Sequence, residues 1–466
     1  MLPAHTADSS VTRPSRTPAS SSPTAASLPS MVADGIPGQR GGRRGGLRSY
    51  LDRSKVLGQW RAKVAGSLNL AVGSRQSRHQ PRPAVGDRRP QGRLGWLTAL
   101  LVLSATAPAQ AALQLRVAIE DGVSQVQVGT SSAAVVRDAA GRQVGQLKAM
   151  DGLVAGSQGG QVTLGGLKSG QLWVEPQAGG YVWIGDRWYR GRALLSPKGG
   201  GVLAVNYVDL DEYLYSVVGS EMPTNWPLEA LKSQAVAARS YALHKRSKVG
   251  NAQYDLGDTT RWQVYKGITA ETTSTQTAVV QTAGQVLTYN GAIIEAVFHS
   301  SSGGHTENVE DVWSSPLPYL RGVADYDQYA PVFQWQETFS AAQMRQRITG
   351  VGNILAMTPI ALTPNGRVRQ MKVVGDAGQR TLSGDELRSA LGLRSSLFQV
   401  SPSGGAGSGA KSTVPATFVV QGRGFGHGLG MSQWGAYGLA SQGYGYQQIL
   451  GHYYQNAGLA QIQVTP

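Results

Sequence analysis

From Leu228 to Val249 the chain contains neither glycine nor proline, and most of its residues are strong helix formers. The stretch begins L-E-A-L-K-S-Q-A-V-A-A-R-S-Y-A-L-H-K and admits little besides a helix. Asn225 is the N-cap candidate, and Pro227 suits the first helical turn. Glu221, in an E-M-P triplet, stands one turn upstream.

Placed on a wheel at about 100° per residue, Glu229, Ser233, Ala237, Ser240 and His244 share a polar arc. Leu228, Leu231, Ala235, Val236, Ala242 and Leu243 form the opposite, apolar arc. Lys232 and Arg239 fall on one stripe inside that apolar arc. Cations that face a core must be paired, or must line a wet cleft. One reading is a structural ion pair with snorkelling stems. The other is a cleft wall carrying Lys232 and Arg239, with the Glu221 carboxylate at its mouth.

The chain has 466 residues, a length that suits two or three domains, and a formal net charge of +15. The charge is unevenly placed. Residues 1–93 hold 16 Lys/Arg against 4 Asp/Glu, whereas the remainder holds 27 against 24. The basic excess therefore argues nothing for nucleic acid as a partner of the folded body. Residues 1–92, rich in Ser, Pro, Arg and Gly, read as a disordered basic segment. Residues 93–111 read as a signal peptide: Arg88, Arg89 and Arg93 lead an apolar run, Leu94–Leu103, and Ala109-Gln110-Ala111 is a small-x-small cleavage site. The run is short for a membrane anchor, the competing reading, so no stable span is expected after cleavage. A signal so far from Met1 points to a start downstream, near Val85; an unusually long cytoplasmic leader is the alternative. The expected location is outside the cytoplasm: periplasm, cell wall or medium. There is no cysteine, which excludes disulfides, thiolate metal sites and a cysteine nucleophile.

Residues 112–205 alternate short apolar runs with glycine-rich turns, a β-rich pattern. Trp173, Tyr181, Trp183, Trp188 and Tyr189 read as core and edge aromatics, with sugar stacking the alternative for one or two. A helix is expected over Thr272–Ala283, and Asn290-Gly291 marks a type I′ hairpin. The segment F-H-S-S-S-G-G-H-T-E-N, Phe298–Asn308, is a loop built to approach a ligand, which makes His299, Ser300 and Ser301 candidate contacts. It holds no G-x-S-x-G elbow. His299 and His305 lack a clear third ligand, so a metal is not expected, although a metallohydrolase using His299, His305 and His427 is a third reading. Ser340 is read as capping a short helix, Arg367–Val374 and Gln379–Leu382 as a hairpin, and Ser383-x-x-Glu386 as a capping box. Residues 402–413 are a Gly/Ser loop insertion. In G-R-G-F-G-H-G-L-G-M-S-Q-W-G-A the alternating glycines suggest a strand with one bare face, with His427 and Gln433 at its junction with a helix. Tyr446–Tyr454 is read as a last helix.

Four of these segments resemble the SpoIID/LytB, or stage II sporulation protein D, family: D-L-D-E-Y-L-Y-S-V-V-G-S-E-M-P, W-P-L-E-A-L-K-S-Q-A-V-A-A-R-S-Y-A-L, F-H-S-S-S-G-G-H-T-E and the glycine-histidine run ending M-S-Q-W-G-A. Their order and spacing cover Tyr207–Tyr454, so residues 206–466 read as a SpoIID-like catalytic domain. The resemblance implies an exported peptidoglycan-cleaving enzyme, a lytic transglycosylase acting on glycan strands stripped of stem peptides. It places the general acid/base on Glu221 and the family's A-A-R arginine on Arg239. Some relatives bind zinc where Gly257, Arg261 and Trp262 stand here, so neither zinc nor any other cofactor is expected. Other members are amidase enhancers, and a glycan-binding protein that stimulates a cell-wall amidase is the competing function. The expected architecture is α+β, mostly antiparallel, with the central helix walling a groove. That groove should gather Glu221, Arg239, Lys232, His299, Ser300, Ser301, His427 and Gln433 around a glycan strand.

Overall fold

The computed structural model describes residues 113–249, 253–313, 315–404 and 414–462. The basic segment, the signal sequence and most of the Gly/Ser insertion lie outside the described residues.

The fold is α+β, and its sheets are mostly antiparallel. Two sheets built from residues 114–209 and the short strand Leu256–Gly257 open the molecule, one of seven strands and one of six. Their inward residues alternate along each strand: Val126 and Val128 from one sheet meet Leu172, Val174, Leu195 and Ala204 from the other in a single apolar core. The last long strand, Gly201–Asp209, pairs with Gln114–Val123 and runs straight into a 12-residue helix, Leu210–Glu221. Asp209 caps that helix by accepting from the N–H groups of Asp211 and Glu212, and Asp211 and Glu212 place negative charge in its first turn. The cap and the first-turn acids are the sequence signals that mark this segment as a helix.

The central helix is Leu228–Lys248, 21 residues, and Pro227 rather than Asn225 takes the N-cap position. Glu229 opens it and Lys245, Arg246 and Lys248 close it, as the helix dipole favours. From Ala230 to Leu243 every residue except Lys232 is buried. The expected polar arc is therefore absent: Ser233 and Ser240 lie in the core with Ala237. Both hydroxyls donate to the helix's own carbonyls, those of Glu229 and Val236, so their burial leaves no donor unpaired. A helix sheathed in this way is the axle of the core and not the wall of a groove along its length.

Helix Thr273–Gln281, capped by Thr272, and the hairpin Gln285–Tyr289/Ala292–Ile293 follow as expected. Asn290 and Gly291 both take positive φ, 48° and 78°, the signature of a type I′ turn. A second, smaller core gathers Trp335, Phe339, Met344, Val373, Leu387 and Phe418. Around it lie the sheet Gln334–Ser340/Thr417–Arg423/Phe398–Ser403, the hairpin Val368–Gly375/Gly378–Ser383, and two helices, Ala341–Arg347 and Gly384–Leu391. Ser340 and Ser383 cap those helices through full capping boxes. Among the described residues no helix is long and apolar enough to cross a membrane.

The glycine run is not a strand with a bare face. The strand ends at Arg423, and Gly424, Gly426, Gly428 and Gly430 all take positive φ. At Gly428 the requirement is double: φ is +80°, and an added Cβ would lie 2.4 Å from the Arg367 guanidinium. The loop so formed delivers Met431–Ser432 to pair in parallel with Phe298–His299 and start the helix Gln433–Ser441.

Candidate functional site

Glu221 is the last residue of its helix, where the negative end of the dipole opposes a carboxylate. The residue is half-buried, and its carboxyl sits deep enough that desolvation dominates its titration. Oε1 accepts the Val264 N–H at 2.7 Å, and Oε2 lies 3.5 Å from the Gln433 side-chain nitrogen. Burial pushes its pKa up to about 8, against the smaller lowering effects of Val264, Gln433 and the Lys266 ammonium. No ion pair joins Glu221 among the described residues. At neutral pH it is a carboxylic acid that holds a proton to give.

The two cations of the central helix do not serve this acid. Arg239 is fully buried: it donates to Asp211 Oδ1 at 2.9 Å and to the carbonyls of Thr282, Gln285 and Val279. It ties three elements together and lines no cleft. Lys232 pairs with Glu229 one turn away, at 2.7 Å. The ion-pair reading of that stripe is the correct one, with acids other than Glu221. The cation that bears on Glu221 is Lys266, exposed on the segment that also supplies the Val264 N–H.

The histidine–serine loop also faces inward. His299 and His427 are buried with ring centroids 5.1 Å apart. His427 Nδ1 accepts from Leu429 N–H, so Nε2 carries the proton that it donates to the Phe298 carbonyl. Burial and two nearby arginines hold this imidazole neutral, with a pKa of about 3. His299 Nδ1 faces the Leu429 carbonyl. These histidines lock the Phe298–His299/Met431–Ser432 pairing rather than face a substrate. Ser301 is buried and donates to Asp327 at 2.5 Å. Ser300 is half-buried, and its carbonyl accepts from Trp434 N–H. His305 is half-buried and turned to the Thr306 carbonyl. Among the described residues no group of three or more His, Cys, Asp or Glu side chains is arranged so that it could hold a metal ion. Of the expected contacts, Gln433 is the one with a hydrogen bond to Glu221 among the described residues.

Beside Gln433 lies an aromatic cluster that sequence reading missed. Trp226, Trp434 and Tyr437 meet pairwise at 4.7, 5.0 and 5.4 Å between ring centroids, and all three keep exposed surface. Trp226 follows Glu221 by one turn of chain, and Trp434 follows Gln433 directly. Nothing in either segment announces that tertiary packing brings them together. Trp183, Trp188 and Tyr189 are buried, which removes them as sugar platforms.

The fold and site thus define an α+β protein built around one protonated carboxyl with an amide and a lysine about it, and half-buried aromatic rings beside that amide. The stage II sporulation protein family model, SpoIID, matches residues 198–289, which span the helix ending at Glu221 and the central helix. A domain of unknown function, DUF8618, matches residues 320–430, around the smaller core. Stage II sporulation protein D of Bacillus subtilis (strain 168) is 35% identical over 283 residues, 55% of this chain and 76% of the relative. An uncharacterized protein of Brachyspira hyodysenteriae is 30% identical over 274 residues, 57% of this chain and 70% of its own length. The amidase enhancer of Bacillus subtilis (strain 168) is 32% identical over 288 residues, 52% of this chain and 39% of that protein. The chain belongs to the stage II sporulation protein D family, and its function is a cell-wall-related one.

Proposed function

We propose that the protein is an exported lytic transglycosylase that cleaves the glycan strands of peptidoglycan, with Glu221 as its acid/base. The observation that supports this is the Glu221 carboxyl, held protonated by burial near neutral pH with no ion-pair partner among the described residues. A glycosidase that hydrolyses ordinarily needs two carboxyl groups. One suffices when the nucleophile is already on the sugar. Glu221 gives its proton to the bridging oxygen as the bond from muramic C1 breaks. The carboxylate then takes the proton of the muramic C6 hydroxyl, whose oxygen closes on C1 to form the 1,6-anhydro ring. The proton count balances and no water is consumed, and the tethered hydroxyl spares the entropy of recruiting a nucleophile.

Lys266, the exposed cation that bears on Glu221, takes the lactyl carboxylate or an acetamido oxygen of the substrate, in place of the cleft-wall cations Lys232 and Arg239. Trp226, Trp434 and Tyr437 offer apolar ring faces for the sugars. The test is mass spectrometry of denuded glycan after incubation with the protein. Anhydro ends are expected; intact strands, or new reducing ends, contradict the proposal.

The second reading, a glycan-binding protein that stimulates a cell-wall amidase, has one observation behind it: the similarity to a relative named amidase enhancer. It requires faster release of stem peptides by an added amidase with no anhydro ends formed. Export rests on the signal-like residues 93–111, and N-terminal sequencing of the secreted protein is expected to begin just after Ala111.

A further inference from the structure

The smaller core carries a sheet whose outer face is a ladder of amides. Gln334 pairs with Arg423 across the strands, Gln336 with Gln421, and Gln421 with Gln399 on the third strand. All five side chains are exposed, while their in-register neighbours Trp335, Gly422 and Phe398 turn inward. A cleft of about 720 Å³ lies over these residues. It adjoins a second one at the Gly303–His305 loop, and Arg423 lines both. Among the described residues no Asp or Glu lines either cleft, and Arg423 is the one Lys or Arg that does. Its guanidinium stacks on Phe333, 4.7 Å from the ring centroid, and no carboxylate pairs with it among the described residues.

We propose that this cleft is a saccharide-binding site, separate from Glu221, for a linear N-acetylated glycan that bears carboxylate groups. Gln421 donates to Gln336 at 2.9 Å. Two amides paired in this way leave the Gln336 Nε2 group and the Gln421 Oε1 atom wholly free, the donor and acceptor that a sugar hydroxyl or acetamido group requires. Adjacent strands lie ~4.8 Å apart, close to the length of one pyranose ring, so the three strands present amides at sugar pitch. The ring-held arginine supplies the anion contact, and its stacking limits the rotamer freedom it loses on binding. An acidic peptide would leave the amide ladder largely unused.

The site rests on the glycan reading for the source of its ligand, but not on the chemistry of Glu221. Its test therefore reads binding and not cleavage. The full chain is titrated by calorimetry with three probes: denuded glycan strands, an N-acetylglucosamine oligomer without carboxylates, and poly-glutamate. Arg423→Gln is expected to weaken the denuded glycan about tenfold and to leave the uncharged oligomer unchanged. Gln336→Ala with Gln421→Ala is expected to weaken both saccharides. These side chains are exposed, so unchanged melting of the variants shows that the fold persists. Wild-type affinity for glycan in both variants overturns the site, as does poly-glutamate binding that is tighter than glycan binding and lost in Arg423→Gln. Loss of cleavage with glycan binding intact would count against the role of Glu221 alone.

Discussion

A carboxyl at the C-terminal end of a helix, half-buried and given one backbone N–H, is a poor anion and a good acid. The folded protein holds the Glu221 proton more tightly than the unfolded chain does, with a pKa of about 8 against an ordinary 4.5. Stability from this group is therefore fullest below the ordinary value and declines as pH rises through the window between the two. Glu221→Gln is expected to flatten that decline in thermal melts run across the window. It is also expected to cut turnover by roughly a hundredfold or more, because the amide has no proton to transfer. Trp434→Ala is expected to raise KM several-fold with a smaller effect on kcat, as loss of a sugar platform would. Glu221 and Gln433 were legible in the sequence as polar residues at element boundaries. Lys266 was not: it reaches the acid because the Tyr254–Gly267 segment returns across the helix ends, a tertiary event that no local pattern encodes.

At the scale of elements, the central helix shows where periodicity succeeds and where it fails. Its extent followed from composition, and the cap at Ser340 and the capping box at Ser383 followed from local sequence; that Gln343 completes a box at Ser340 is seen only in the structure. Its faces did not. Alanine and serine are small enough to be buried on any side, and a serine that bonds to its own helix leaves no unmet donor to betray its burial. Arg239 then belongs to the core, where Asp211 and three carbonyls take up its two terminal nitrogens and Nε is left without a hydrogen-bond partner among the described residues. Arg239→Met is expected to destabilise the fold by about 3 kcal/mol, since it strands those acceptors. Denaturant melts would show this, whereas a cleft role would change KM at constant stability.

For the whole molecule, the two cores meet at Arg367. This arginine, rooted in the smaller core's hairpin, is fully buried and donates to the carbonyls of Ser302 and Gly426. Glu307, 3.8 Å away and equally buried, accepts from Thr363 and Asn365. The glycine at 428 leaves the space that the guanidinium fills. Gly428→Ala is expected to cost about 2 kcal/mol through its positive φ and the displaced guanidinium. Arg367→Met leaves Glu307 buried without its cation, and calorimetry is expected to show the smaller core melting ahead of the larger. The α+β class and the β-rich opening were readable from alternation and turns. The joint was not, because a buried arginine and a glycine far apart in the chain announce nothing until the fold brings them into contact. The most direct measurement is the rate at which anhydro-muramoyl ends form from denuded glycan, followed across pH 5–10 (roughly the span that brackets the Glu221 pKa) in wild type and Glu221→Gln. A wild-type rate that falls on an alkaline limb near pH 8, with the variant nearly silent throughout, is the expected result. Equal rates in the two proteins would contradict the account.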